Sequence, residues 1–201
     1  VMSYISKLGR EESARLGKER GSFPLFEQST LKSWEAMRNT TVTTIAPTGT
    51  ISIIADCAAG IEPLYGIHLV RTVMDGMALS SLHPAFVRHA ERHGLALPAL
   101  LRDLEQSPSI QHLTQLPDSL RRLFVTAHDV SPAHHVRMQA AFQRHSDSGV
   151  SKTINLPPAA TPRDVAEAFQ LAHHLGCKGL TVFRSGSRDD QVLSCSQKRS
   201  C

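Results

Sequence analysis

The sequence predicts an α/β fold with parallel strands, and three observations carry that reading. Residues 151–183 spell a strand, a capped helix and a second strand, a β-α-β unit that normally sets two neighbouring strands parallel. A β-branched run from Thr40 to Ile45 ends at Pro47 and opens into a small, hydroxyl-rich turn. The 201 residues, 41% of them hydrophobic, are enough for one core of ordinary size.

From the amino end, Glu11 to Arg20 is helix-like, Gly21 stops it, and Phe23-Pro24-Leu25-Phe26 forms an apolar linker. A second helix is predicted over Ser29 to Met37. The run Thr40 to Ile45 favours extended backbone, Pro47 biases its predecessor away from helix, and Gly49 lets main-chain N–H groups approach an anion. A helix from Ile51 to Asp56 would add its free amides and positive dipole end. Pro47, Thr48, Gly49, Thr50 and Ile51 are therefore a candidate phosphate cradle, and the turn as far as Ser52 brings three hydroxyls and several amides to face one point. No Gly-Lys-Ser/Thr follows, so this is not the lysine-centred nucleotide loop. The same residues also make an ordinary strand-to-helix turn with capping threonines.

Gly60 to Pro63 breaks the chain before an extended segment at Leu64 to Met74. Residues 83–122 read as a peripheral helical insertion, divided by Pro84, Pro98, Pro108 and Pro117. Ser131-Pro132 caps a helix running to about His145, with Met138, Ala141 and Phe142 expected inward. Ser151 to Leu156 is a strand closed by Pro157-Pro158. Thr161-Pro162-Arg163-Asp164 opens the next helix as a capping box, with Val165, Ala168, Phe169, Ala172 and Leu175 as its buried stripe. Gly176 ends it, and Gly179 to Phe183 forms the last strand. Functional loops of parallel strands sit at their carboxyl ends, here after Ile45 and at Asn155-Leu156-Pro157.

No apolar run approaches the roughly 20 residues that span a bilayer. The start of the chain lacks the features of a secretory signal, and four scattered cysteines suit a reducing compartment, so a cytoplasmic location with no membrane partner is expected. The formal charge of +4 suits an anionic small molecule. Basic residues are spread along the chain and only 5% of residues are aromatic, so no nucleic-acid partner is expected. His89 and His93 lie one helical turn apart with Glu91 between them, and further histidine pairs occur at 134–135 and 173–174. Ala90 stands where a zinc-protease pattern needs glutamate, so no metal site is assigned and a histidine-ligated hydrolase is the weakest alternative. Cys57 and Cys177 read as structural thiols.

Taken together, several blocks resemble the carboxyl-terminal part of the large chain of ribonucleotide reductases, of the adenosylcobalamin-dependent kind. They are Arg38-Asn39-Thr40, the run Thr43 to Ser52, Ala55 to Leu64, Phe124 to Pro132, His135 to Phe142, Val150 to Pro157 and Gly176 to Arg188. The resemblance implies the C-terminal portion of a ten-stranded α/β barrel, incomplete in this chain, over residues 1–188, followed by a flexible tail at 189–201. It implies that Pro47 to Ile51 hold the phosphates of a ribonucleoside di- or triphosphate, mainly through backbone amides. The implied activity is reduction to the 2′-deoxyribonucleotide by a thiyl radical. Adenosylcobalamin would be the cofactor, bound mostly by upstream residues.

Oxygen-dependent relatives place two adjacent tyrosines on the last strand, where this chain has Val182-Phe183, which favours the cobalamin kind. The family's Asn-x-Cys-x-Glu loop is absent, so no catalytic residue is assigned within this chain, which looks like a fragment. Cys195 and Cys201 are either a mobile redox pair served by a thioredoxin-like reductant or two incidental thiols. The rest of the reductase chain, and a second copy when complete, are the other implied partners. Ser148-Gly149 and Ala58-Ala59 depart from the family's wording. A non-catalytic nucleotide-binding or assembly module derived from the same fold is the alternative function.

Overall fold

A computed structural model gives the fold and describes residues 1–55, 57–72, 78–187 and 193–194. Helix α1 spans Met2–Arg20, starting nine residues before the predicted Glu11, and stops at Gly21 with φ 81°. Ion pairs from Lys7 to Glu11 and from Arg15 to Glu12 and Glu19 lace its outer face. Its inner face is made of small residues, Ser6, Ser13 and Gly17. They admit the backbone of residues 37–39 at close range. The Arg38 N–H donates to the Ser13 carbonyl at 2.9 Å and the Asn39 N–H to the Ser13 hydroxyl at 2.9 Å.

The helix predicted over Ser29 to Met37 does not form. A single 3-10 turn at Phe26–Gln28 is followed by irregular turns. The Ser29 hydroxyl donates to the Phe26 carbonyl at 2.7 Å and accepts from the Leu31 N–H at 3.1 Å, a local side-chain turn that competes with helix. Met37, 1% exposed, is pulled into the core, and its carbonyl accepts from the Phe23 N–H. The β-branched run that follows is extended but pairs in one place, a parallel bridge between Ile45 and Val150.

After helix α2, Gly49–Ile54, strands β1, His68–Thr72, and β2, Ala78–Leu82, pair antiparallel, with His68 opposite Leu82. Helices α3, Pro84–Arg92, α4, Leu97–Leu104, and α5, Asp118–Leu123, follow. They enclose their own apolar cluster, in which Phe86, Leu104, Ile110, Leu120 and Phe124 are joined by Ile67 from the lead-in to β1.

Helix α6, Pro132–Gln143, comes next, and strand β3, Thr153–Leu156, helix α7, Pro162–His174, and strand β4, Thr181–Arg184, make the predicted β-α-β unit. The two strands are parallel, with Ile154 opposite Val182 and Asn155 opposite Phe183. The capping box at Thr161 and Asp164 is formed. Val136, Ile154, Ala168 and Ala172 form the core between helices and sheet, with Val182 packed against it. Side chains alternate along a strand, so Asn155 and Phe183 face away from the helices. With the bridge at Ile45, these strands form part of a barrel wall that does not close among the described residues. Within the predicted tail, Leu193–Ser194 forms β5 beside β1; Cys195 and Cys201 lie outside the described residues.

Two buried faces differ from expectation. On α6 the inward residues are His135, Val136, Gln139, Ala140 and Gln143, while Met138 is 40% exposed. The Gln139 amide donates to the carbonyls of Val150 at 3.1 Å and Gly179 at 2.7 Å, and Gln143 donates to those of Ser146 and Ser148, so both glutamines are drawn inward. On α7 the contact line is Ala168 and Ala172, and Phe169 is 51% exposed, because the small residues let the helix lie close and turn Phe169 off the line.

A Cβ at Gly17 would lie 2.8 Å from the Met37 nitrogen and 2.9 Å from that of Arg38. Alanine gains about 1 kcal/mol of helix propensity over glycine, but here it must displace backbone. Gly17→Ala is therefore expected to lower the urea midpoint by an amount equivalent to about 1–3 kcal/mol; an unchanged or raised midpoint would contradict the packing described.

Candidate phosphate-binding site

The site begins where the β-branched run leaves the barrel wall. The Ile45 N–H donates to the Gly149 carbonyl at 3.3 Å, and the Ser151 N–H donates to the Ile45 carbonyl at 2.8 Å. Past Pro47 the chain turns at Thr48, whose φ of 49° and ψ of 24° make it the one non-glycine residue with positive φ among those described. A β-branched residue there costs about 1–3 kcal/mol. This turn starts α2 at Gly49, two residues earlier than predicted. The first amides of a helix have no partner within it, and the Thr48 side chain caps none of them. The N–H groups of Gly49, Thr50 and Ile51 are thus free and at the exposed end of the dipole. A Cβ built on Gly49 meets nothing within 4 Å. Of the three expected hydroxyls, Ser52 is committed elsewhere: it donates to the Gly49 carbonyl at 2.7 Å and the residue is 8% exposed. Asp56 lies outside the described residues.

Beside Pro47 runs an open cleft of about 430 Å³, bordered by Thr44, Ala46, Ser151, Lys178 and Thr181 among others. A larger cleft of about 740 Å³ lies apart, between α1 and residues 33–35. Its Lys18 and Glu35 pair with each other at 2.6 Å, so its charges are already answered.

The far end of the cradle segment is held by a contact that sequence reading missed. Glu62 accepts from the Lys152 ammonium at 2.7 Å with one oxygen and from the Thr153 N–H at 2.6 Å with the other. The Lys152 side chain is 2% exposed. Removing Glu62 leaves the buried Lys152 ammonium uncompensated, a change that costs about 3–5 kcal/mol. The available signal was a lysine inside an otherwise buried strand, since lysine is almost never buried unpaired.

Cys57 is exposed, not packed as a structural thiol would be, and its N–H donates to the Ser52 carbonyl. Cys177 is half-buried against the α6–α7 core, and burial pushes its thiol up. Among the described residues no group of three or more His, Cys, Asp or Glu side chains gathers as a metal would need. His89 packs against Phe124, with ring centroids 5.7 Å apart. His135 is 1% exposed and contacts the Ala127 carbonyl through Nε2 at 3.0 Å; burial favours its neutral form. No described helix is long and apolar enough to cross a membrane.

Asp147 ties α1 to the lead-in of β3. Burial alone would raise its carboxyl, but Arg10 at 2.6 Å, the Val42 N–H at 2.9 Å and Thr43 outweigh that and hold it below the usual carboxylate range. A lowered value in the folded state contributes stability that is full above the unfolded-state value and lost as pH falls through the folded one. Urea midpoints are expected to fall on acidification below about pH 4, and more shallowly in Asp147→Asn; identical pH profiles would refute the role given to Asp147.

Comparison with known proteins gives one consistent result. The family described as "Ribonucleotide reductase, barrel domain" matches residues 33–183. A vitamin B12-dependent ribonucleoside-diphosphate reductase of Thermoplasma acidophilum is 43% identical over 198 residues, covering 96% of this chain and 25% of the relative. One from Mycobacterium tuberculosis is 42% identical over 194 residues, covering 96% and 28%. The chain therefore spans about a quarter of the length of these curated relatives. Among solved structures, the Actinobacillus ureae class Id ribonucleotide reductase alpha subunit superposes with a TM-score of 0.74 at 23% identity, over 92% of this chain and 33% of that one. The strands around Ile45, β3 and β4 are thus a stretch of that barrel's wall, and this chain belongs to the ribonucleotide reductase family through its barrel domain.

Proposed function

We propose that this chain supplies the substrate-phosphate site of an enzyme that reduces ribonucleotides to 2′-deoxyribonucleotides. The single observation that carries the reading is the set of three free amides at Gly49, Thr50 and Ile51, turned outward by the left-handed Thr48. Amides at a helix start suit an anion, and an anchored phosphate tail fixes the ribose at a set distance from the reacting groups. The backbone strain at Thr48 supports the same reading, since strained residues concentrate at ligand sites.

The named relatives are ribonucleoside-diphosphate reductases, so a diphosphate is the substrate we assign, and their vitamin B12 dependence favours adenosylcobalamin. The described residues do not fit the cofactor itself: the two clefts, of about 740 and 430 Å³, are open and small beside a corrin with its nucleotide tail. Its binding and the generation of the radical belong to other residues of the complete protein. What this chain does is hold the phosphates and present the inner wall bearing Asn155 and Phe183. Phenylalanine has no phenol to oxidise, so a tyrosine relay through position 183 is excluded on this reading. A thioredoxin-like reductant and a second copy are the partners we assign to the complete protein. Residues 83–122, with their separate core, serve as an accessory unit on the barrel.

The test is deoxynucleotide formation by the complete protein with and without adenosylcobalamin. Product only with the cofactor supports the reading; nucleotide binding without product under any condition favours a non-catalytic module. Because Gly49 has open space around its Cβ position, Gly49→Val is expected to fold normally and to weaken diphosphate binding by about tenfold or more. Unchanged affinity in equilibrium dialysis would remove the cradle assignment.

A further inference from the structure

The cradle segment leaves one strand and returns to it. Its entry is fixed at Ile45, bonded to Gly149 and Ser151, and its exit at Glu62, bonded to Lys152 and Thr153. Both anchors therefore fall on a short stretch of one chain, the lead-in and first residue of β3. The two ends also meet each other. Gly60, at φ 51°, lies so near that a Cβ there would be 3.4 Å from the Ala46 carbonyl oxygen and 3.5 Å from Ile45 Cγ2. Residues 46–55 and 57–61 thus belong to a hoop closed at its ends, stiffened inside by the Cys57 N–H donating to the Ser52 carbonyl and the Glu62 N–H donating to that of Ala59.

The two anchors differ in kind. At the entry they are backbone hydrogen bonds that any sequence can make. The exit depends on two specific side chains. One Glu62 oxygen takes the ammonium of Lys152 and the other takes the Thr153 N–H, while the same ammonium also donates to the Thr153 carbonyl at 3.3 Å. Glu62 is 27% exposed on its side chain and Lys152 2%, so this contact is shielded from water and salt in a way a surface pair is not. It also neutralises a carboxylate that would otherwise stand uncompensated on the hoop whose amides face the anion.

We propose that Glu62 and Lys152 are a positioning pair for the phosphate site: they set the placement of the Gly49–Ile51 amides without touching the ligand. The inference rests on the reading of those amides as the phosphate grip. A merely structural pair would govern stability alone. A positioning pair governs in addition the preference for a phosphorylated ligand over the same nucleoside without phosphate.

The experiment uses the complete protein and measures dissociation constants for a ribonucleoside diphosphate and its parent nucleoside, together with amide hydrogen exchange. In Lys152→Met and Glu62→Gln, diphosphate affinity is expected to fall by about tenfold or more, with nucleoside affinity unchanged. Exchange protection should drop within residues 46–61 and persist in β3, and Lys152→Arg should restore most of the preference. Glu62→Gln keeps an oxygen for the Thr153 N–H, so it decides the matter if Lys152→Met does not fold. Wild-type preference in folded Glu62→Gln, or equal losses for both ligands, overturns the inference. Gly49→Val separates the two claims: if it weakens diphosphate binding while Glu62→Gln does not, only the positioning role falls; if it has no effect, the phosphate site itself falls with it.

Discussion

The structure hangs on the stretch from Asp147 to Thr153, where the chain enters β3. Asp147 receives Arg10 from α1 and the Val42 N–H, and its carbonyl receives Lys178. Gly149 and Ser151 hold Ile45, Gln139 and Gln143 of α6 take the carbonyls of Val150, Ser148 and Ser146, and Lys152 and Thr153 hold Glu62. Elements distant in sequence are thus tied to one line of backbone. Buried peptide groups demand partners, and here they are met by side chains from both the amino-terminal and the carboxyl-terminal sides.

That arrangement explains how a loop can carry function on this fold. A free, exposed turn with a left-handed threonine would relax if its ends could move. Held at both ends by one strand, it keeps its strained backbone and its unpaired amides. The energy of folding elsewhere maintains a local geometry that is unfavourable by itself, and the anion site proposed here relies on that preorganisation. The cleft beside Pro47 continues from the loop across the lead-in to β3 and the start of β4.

Much of this was legible in the sequence where the signals are local. The strand, helix and strand over residues 151–183, the capping box at Thr161, and the turn after Ile45 all depend on neighbours within a few positions. The fold class and the candidate loop followed from them. What was not legible depends on partners far along the chain. The inward turn of Gln139 and Gln143 answers carbonyls of later segments, so Met138 lost the face that periodicity assigned it. Residues 29–37 have helical spacing, yet the Ser29 turn and the capture of Met37 by the core override it. The lysine in a buried strand signals that a partner exists, but nothing local says that the partner is Glu62, 90 positions away. Apolar residues of α2, Ile51, Ile53 and Ile54, stay exposed, and no periodicity in a helix this short could have told which side they take.

The most direct measurement is a crystal structure of the complete protein with a ribonucleoside diphosphate bound. The expected result is phosphate oxygens within hydrogen-bonding distance of the N–H groups of Gly49, Thr50 and Ile51, with Thr48 still left-handed. Phosphates held elsewhere, with those amides facing solvent or another part of the chain, would contradict the account.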